Sequence, residues 1–314
     1  MIKKLNIKGL ISAPFTPMHS NGAINLAEIE KYANQLKKDN VVGVFICGTT
    51  GEGMLMNVEE RMAVALEWMK YKASNFKIIV HVGSTSFSIS ETLAVHAQEI
   101  GADAIGTMGP VFLPPNDAAS LVDYCEPIAK AAPNLPFYYY HVPSISNVSV
   151  PMKEFLIEAD KRIPNLVGIK FTHNNLMEMQ QCLALNNEQF EILHGYDEVL
   201  LAGLSIGAIG AVGSTYNYMA SCYSKIINAF NQGNLEEARK WQQYSVTVVE
   251  VLIKYGGGVR AGKEIMSLVG INSGPGRAPI KKFSSEEKIN LKNALEAIDF
   301  FDNIKFMNTI ETVK

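Results

Sequence analysis

Eight short apolar or β-branched runs alternate with amphipathic stretches along this chain, and no other feature restricts its fold as much. The runs are residues 10–16, 42–47, 77–83, 104–108, 137–142, 166–172, 190–196 and 208–214. The stretches that follow them are residues 25–38, 58–72, 88–100, 117–131, 152–161, 176–185, 197–204 and 218–231. Strand-like and helix-like periods that alternate in this way require a parallel sheet with helices outside it. Eight such units in about 230 residues fit a closed (β/α)8 TIM barrel better than an open doubly wound sheet. Periodicity alone leaves the open sheet as an alternative.

Beyond residue 231 the strand signal stops. Residues 234–254 and 284–301 read as amphipathic helices, with Ser284-Ser285-Glu286-Glu287 as a helix start. Gly256-Gly257-Gly258 and Gly274-Pro275-Gly276 separate the pieces. The expected division is therefore a catalytic barrel over 1–231 and a helical appendage over 232–314, packed on the barrel.

The composition narrows the function classes. The chain has 314 residues, 47% of them hydrophobic, which is ample for one large core. A net charge of −3 offers no basic surface for nucleic acid or membrane. Cys47, Cys125, Cys182 and Cys222 are scattered, with no CxxC pair, as expected for free thiols in a reducing cytoplasm. The opening MIKKLNIKGL has no apolar core of a signal peptide, and no run is long enough to span a bilayer.

In a barrel of this kind the active site forms where the strands end. The sixth run, Leu166-Val167-Gly168-Ile169-Lys170-Phe171-Thr172, carries a lysine where an aliphatic residue would be ordinary. Burial disfavours an ammonium, and a neutral amine attacks ketones to form a Schiff base. A lysine snorkelling to water is the plain alternative. The other strand ends bear on that choice. The fifth ends in Tyr138-Tyr139-Tyr140-His141, and strand alternation puts Tyr138 and Tyr140 on one face, where a phenol can shuttle protons to its neighbour. After the second comes Gly48-Thr49-Thr50-Gly51-Glu52, whose backbone N–H groups and hydroxyls can hold a carboxylate. Thr172 follows Lys170 on the same face; the seventh run ends in Gly195-Tyr196-Asp197-Glu198, and the eighth reaches Ser214. Aromatic packing, a plain turn and a first-turn acidic pair account for these one at a time. Together they form a lysine, a phenol, hydroxyls and a diacid on one rim, which favours the Schiff-base reading.

Two motifs mislead. Residues 257–264 resemble a P-loop but lack the final hydroxyl and follow no strand, and the glycines of 207–213 miss the dinucleotide spacing. His81, His141, His173 and His194 lie in or beside strand ends, which raises a metal-dependent barrel hydrolase or aldolase as a rival. No HxH or HExxH pair seeds such a site, so no metal is expected.

The GTTGE loop, the YxxP element Tyr140-His141-Val142-Pro143, the IKFT strand end, the GYDE element and Gly274-Pro275-Gly276-Arg277-Ala278-Pro279 occur in the order of one family. The chain resembles the pyruvate-dependent class I aldolases of the N-acetylneuraminate lyase and dihydrodipicolinate synthase family. The lyase branch is the nearer, because Ser144-Ile145-Ser146-Asn147 lacks the arginine with which the synthases grip an aldehyde's carboxylate. The resemblance implies reversible cleavage of N-acetylneuraminate to N-acetylmannosamine and pyruvate, without metal or organic cofactor, in a homotetramer. It implies Lys170 as the Schiff-base residue, Tyr140 as proton relay, Thr49 and Thr50 on the pyruvyl carboxylate, and Thr172, Gly195, Asp197, Glu198 and Ser214 around the sugar. Where the family often has a tyrosine lent by a neighbouring subunit, this chain has Pro110-Val111-Phe112-Leu113. Dihydrodipicolinate synthase, a 2-keto-3-deoxy sugar-acid aldolase and a catalytically silent pyruvate or sialic-acid sensor are the remaining alternatives.

Overall fold

The computed structural model describes residues 4–185 and 188–305; the parts of the expected segments at 1–3, 186–187 and 306–314 lie outside the described residues. Eight parallel strands close into a barrel in chain order, with the eighth pairing the first. They are β1 (Gly9–Ser12), β2 (Gly43–Ile46), β3 (Lys77–His81), β4 (Ala104–Met108), β5 (Phe137–His141), β6 (Leu166–Phe171), β7 (Glu191–His194) and β8 (Gly210–Gly213). The eight apolar runs are these strands, trimmed at their ends. The open-sheet alternative is excluded by the β1–β8 pairing.

The helices are α1 (Glu28–Lys38), α2 (Val58–Met69), α3 (Phe87–Glu99), α4 (Ala118–Ala131), α5 (Pro143–Ser146), α6 (Met152–Asp160), α7 (Leu176–Leu183), α8 (Leu200–Ser205), α9 (Tyr216–Asn231), α10 (Leu235–Lys254), α11 (Gly257–Leu268), α12 (Ser285–Glu296) and α13 (Phe300–Asn303). Local chemistry explains several starts. Asn57 and Ser284 form capping boxes with Glu60 and Glu287, and Asp117, Asn175 and Asn234 each accept from a first-turn N–H. The stretch read as one helix over 197–204 is a 3-10 turn, Asp197–Val199, followed by α8.

Side chains alternate between two layers. Ile11, Phe45, Ile79, Met108, Tyr138, Tyr140, Leu193 and Val212 fill the barrel, while Val44, Ile78, Ile105, Tyr139, Ile169 and Phe171 pack outward against the helices. One end of the barrel is sealed by Glu191. Its carboxylate accepts from Ile7 N at 2.5 Å, Asn6 N at 3.2 Å and Tyr138 Oη at 2.9 Å. Tyr138 thus shares a face with Tyr140 but works at the closed end.

β6 contains an irregularity that sets the site. Phe137 pairs with Leu166, but the next residue of β5, Tyr138, pairs with Gly168, so Val167 is an inserted residue. Val167 points into the barrel, while Leu166, Ile169 and Phe171 point outward. Strict alternation from Val167 would have put Ile169 inside and Lys170 outside. The bulge resets the phase and turns Lys170 inward. Gly168 beside it has no room for a side chain, since a Cβ there would lie 1.9 Å from Glu191 O.

Past α9 the chain folds back over the barrel. α10 packs on α9, and the glycine-flanked segment set aside as a false P-loop is helix α11. Gly262 lets α11 sit against Phe15, whose ring would be 2.4 Å from a Cβ at that position.

Candidate active site

Lys170 and Tyr140 are paired neighbours on β6 and β5. Lys170 is 5% exposed, with Nζ 3.7 Å from the centroid of the Tyr140 ring and 4.9 Å from that of Phe45. Phe45, Tyr140 and His81 form an aromatic floor, with Phe45 5.7 Å from Tyr140 and His81 6.2 Å from Tyr140 between centroids. Among the described residues neither Lys170 Nζ nor Tyr140 Oη has a hydrogen-bond partner. His81 is neutral: burial, with Arg61 and Lys170 nearby, pushes it well below the usual imidazole range. Its Nε2 accepts from Met108 N at 3.3 Å. Sequence reading noted His81 only as one of four histidines, although its two-residue spacing from inward-facing Ile79 would have placed it in the barrel.

The loop after β2 reverses sharply. Cys47 (φ 57°) and Glu52 (φ 58°) are left-handed, and Gly53 lies so close to Cys47 O that a Cβ would be 1.8 Å away. Glu52 N donates to Thr49 O at 3.0 Å, Gly53 N to Gly48 O at 3.1 Å and Thr16 Oγ1 to Gly51 O at 2.6 Å. The N–H groups of Thr49, Thr50 and Gly51 have no partner among the described residues, as an anion-binding turn requires. Thr49 is exposed and Thr50 half-buried.

Glu52 does a different job from its neighbours. Its carboxylate is buried against Lys263 of α11, Nζ to Oε1 2.5 Å, and accepts from Arg277 N at 2.7 Å. Lys263 also donates to Pro275 O at 3.1 Å. Arg277 pairs with Glu60 and donates to Leu55 O at 2.7 Å. The glycine–proline element at 274–279 therefore fastens the loop rather than touching its contents. Sequence reading missed this clamp, because its partners lie more than 200 residues apart in the chain.

On the opposite rim, Gly195 lies against Thr172: a Cβ at 195 would be 2.0 Å from Thr172 Oγ1. Thr172 Oγ1 is buried without a partner. Asp197 is turned into the protein, where Oδ2 accepts from Thr215 N at 2.8 Å and Thr215 Oγ1 at 2.7 Å. Burial raises its carboxyl, opposed by those two bonds. Glu198 is half-buried and also raised by burial, with no hydrogen bond to another side chain among the described residues. The adjacent acids so differ: Asp197 is held by Thr215, while Glu198 is available. Ser214 is half-buried beneath the start of α11, its Oγ 3.9 Å from where a Cβ on Gly258 would sit. Thr215 and the α11 start are two further elements of this rim that the sequence did not announce.

The chain matches the model of the dihydrodipicolinate synthetase family over residues 6–298. It belongs to that family. It is 44% identical over 292 residues to N-acetylneuraminate lyase A of Xenopus laevis, covering 91% of this chain and 95% of that one. The human N-acetylneuraminate lyase is 41% identical over 301 residues, at 95% and 94% coverage. Among solved structures, the N-acetylneuraminate lyase of Aliivibrio salmonicida superposes with a TM-score of 0.91 at 42% identity, covering 94% of this chain and 97% of that one. The expected family and barrel both hold. Among the described residues no helix is long and apolar enough to cross a membrane.

Proposed function

We propose that this chain is a Schiff-base lyase that cleaves N-acetylneuraminate reversibly to N-acetylmannosamine and pyruvate. One observation carries the reading: a buried lysine that, among the described residues, has no salt bridge, against the ring of a tyrosine that among them has no hydrogen-bond partner. The similarity to lyases over almost the whole chain supports the substrate.

In the proposed reaction Lys170 attacks the C2 ketone of the open-chain sugar, and water leaves to give a protonated imine. That imine is the electron sink, so the chemistry calls for no added cofactor. The C4 hydroxyl loses its proton by way of Tyr140, the C3–C4 bond breaks into the imine, and N-acetylmannosamine departs. The enamine takes a proton at C3, and water hydrolyses the imine to free pyruvate and Lys170. The unpaired N–H groups and hydroxyls at Thr49 and Thr50 suit the pyruvyl carboxylate. Thr172, Gly195, Asp197, Glu198 and Ser214 suit the sugar, and Asp197 also holds the rim through Thr215.

The segment after β5 bears on the acceptor. α5 carries no arginine, which counts against the aldehyde of the synthases. Phe112 is 83% exposed and Leu113 75%. Apolar surface of that size suits burial against another copy of the chain, in line with a proposed homotetramer.

The test is borohydride trapping with pyruvate, read by intact mass, on the wild type and Lys170→Ala. A pyruvate-sized adduct on the wild type alone, followed by turnover of N-acetylneuraminate, supports the reading. Trapping without turnover moves the substrate to another 2-keto acid. No adduct on either protein removes the aldolase reading.

A further inference from the structure

Directly behind the catalytic strands, in the outer layer, lies a second cluster that the proposed aldolase chemistry does not use. His141 ends β5 one residue after Tyr140, His173 follows β6 one residue after Thr172, and Glu178 stands in the first turn of α7. One ligand atom from each lies within 4.8 Å of the others. His141 is 2% exposed, and both of its ring nitrogens are buried without a partner. His173 Nδ1 is likewise buried and without a hydrogen bond, 3.6 Å from Glu178 Oε2. Glu178 Oε1 accepts from Met152 N at 2.6 Å, and among the described residues no lysine or arginine pairs with this carboxylate.

This is an unusual way to leave a polar cluster. Buried polar atoms are almost always satisfied, and exceptions call for an explanation. Here two imidazoles, each with one lone pair to offer when neutral, and one carboxylate face one another, and the His141 ring has neither nitrogen hydrogen-bonded. A cation between them would engage one lone pair from each ring and balance the carboxylate charge. Two ligands on one tetrahedral zinc at about 2.0–2.1 Å stand about 3.3 Å apart. The His173–Glu178 pair is already near that spacing, and the half-exposed His173 ring can swing to close the rest.

We propose that His141, His173 and Glu178 form a binding site for a divalent transition metal of the zinc class, with one coordination position open toward solvent beside His173. Two imidazoles and a carboxylate are a donor set that zinc accepts. The ligands point away from Lys170, since His141 packs outward against Tyr139 and Phe171. The ion would therefore take no part in imine chemistry. It would tie the ends of β5 and β6 to α7, one residue from Tyr140 on one side and one residue from Thr172 on the other.

The full-length protein, freed of metal by chelator and freed of any affinity tag, is titrated with zinc by calorimetry and with cobalt by visible spectroscopy. The expected result is one zinc per chain, and cobalt bands of a low-symmetry nitrogen–oxygen site. His173→Ala, at a half-exposed position, and Glu178→Gln should each weaken zinc by at least about tenfold, since even outer partners of metal ligands cost 10–100-fold. Wild-type protein that takes up no zinc overturns the proposal. So does uptake that is unchanged in both variants, which would locate the ion elsewhere. Pyruvate trapping on Lys170 should be the same in metal-free protein, so loss of the zinc site and loss of the aldolase reading give separate results.

Discussion

Among the described residues two lysines are buried, and they are treated in opposite ways. Lys263, 1% exposed, holds Glu52 at 2.5 Å and Pro275 O at 3.1 Å. Lys170, 5% exposed, lies over the rings of Tyr140 and Phe45 and has no salt bridge or hydrogen bond among the described residues. A buried charge normally persists because it is paired, and breaking the pair strands its partner. Lys263 follows that rule, and burial lowers its ammonium while Glu52 opposes the shift. Lys170 breaks the rule, and its nitrogen is left free for a carbonyl carbon. Burial alone therefore does not mark a nucleophilic lysine. What separates the two is the salt bridge that Lys263 has and that Lys170, among the described residues, lacks.

The contrast can be broken by substitution. Lys170→Met should lower kcat by about 10⁴-fold or more, in the range seen when a covalent nucleophile is removed. Its melting temperature should stay level or rise, because an unpaired buried amine has gone. A Lys170→Met protein with near-normal turnover would end the contrast. Tyr140→Phe keeps the ring beneath the amine and removes only the phenol. It should cost about 10²–10⁴-fold in kcat while leaving pyruvate trapping intact, as expected for a proton relay. Equal loss of trapping and turnover would instead make the phenol part of imine formation.

Lys263→Met should behave the other way round. Leaving Glu52 buried without its ammonium partner, with only the Arg277 N–H among the described residues still donating to it, should cost about 3–5 kcal/mol of stability in denaturant unfolding. Adding Glu52→Gln should recover a good part of that, whereas a lysine that merely fills space would show no such rescue. The smallest effect concerns acid. His194 is buried at the end of β7, and burial brings it down to about 4. The unfolded chain holds this imidazole near its ordinary value of about 6.5. Between those values the unfolded state binds more protons, so the stability is present above about pH 6.5 and is lost as pH falls toward 4. One such group contributes a slope of up to about 1.4 kcal/mol per pH unit. His194→Asn should flatten the melting-temperature profile across that window, and an unchanged profile would assign the acid sensitivity to other groups.

The strands were readable because a parallel barrel buries both faces of each strand, leaving long apolar runs that end where the chemistry begins. Lys170, Tyr140 and the Thr49–Thr50 turn were legible for the same reason: each is a polar residue at the end of an apolar run. The clamp of Glu52, Lys263 and Arg277 was not, since local pattern carries no information about partners so distant in sequence. α11 was hidden by Gly256-Gly257-Gly258, a poor helix start by propensity. Burial of Ala261, Ile265 and Met266 outweighs that cost. Asp197 was read as a sugar ligand, and its hold on Thr215 through Oδ2 was not legible beside that, because an acid at a strand end looks the same whichever groups it meets. His141 and His173 were noticed as strand-end histidines, but their grouping with Glu178 was not legible, because the spacing matches no metal motif and only the β5–β6 pairing and the packing of α7 bring the three together.

The extra residue in β6 carries a consequence for how this enzyme can vary. Which layer receives Lys170 is decided by a count along the chain, not by the lysine itself. Exchanging or even deleting Val167 leaves the amine in the chamber, since Leu166 and Gly168 would then follow Phe137 and Tyr138 in plain alternation, whereas adding or removing a residue between Gly168 and Lys170 would send the amine to the helix layer. Descendants of this sequence can thus gain or lose the bulged residue and keep the amine inside, while the two-residue step from Gly168 to Lys170 stays frozen.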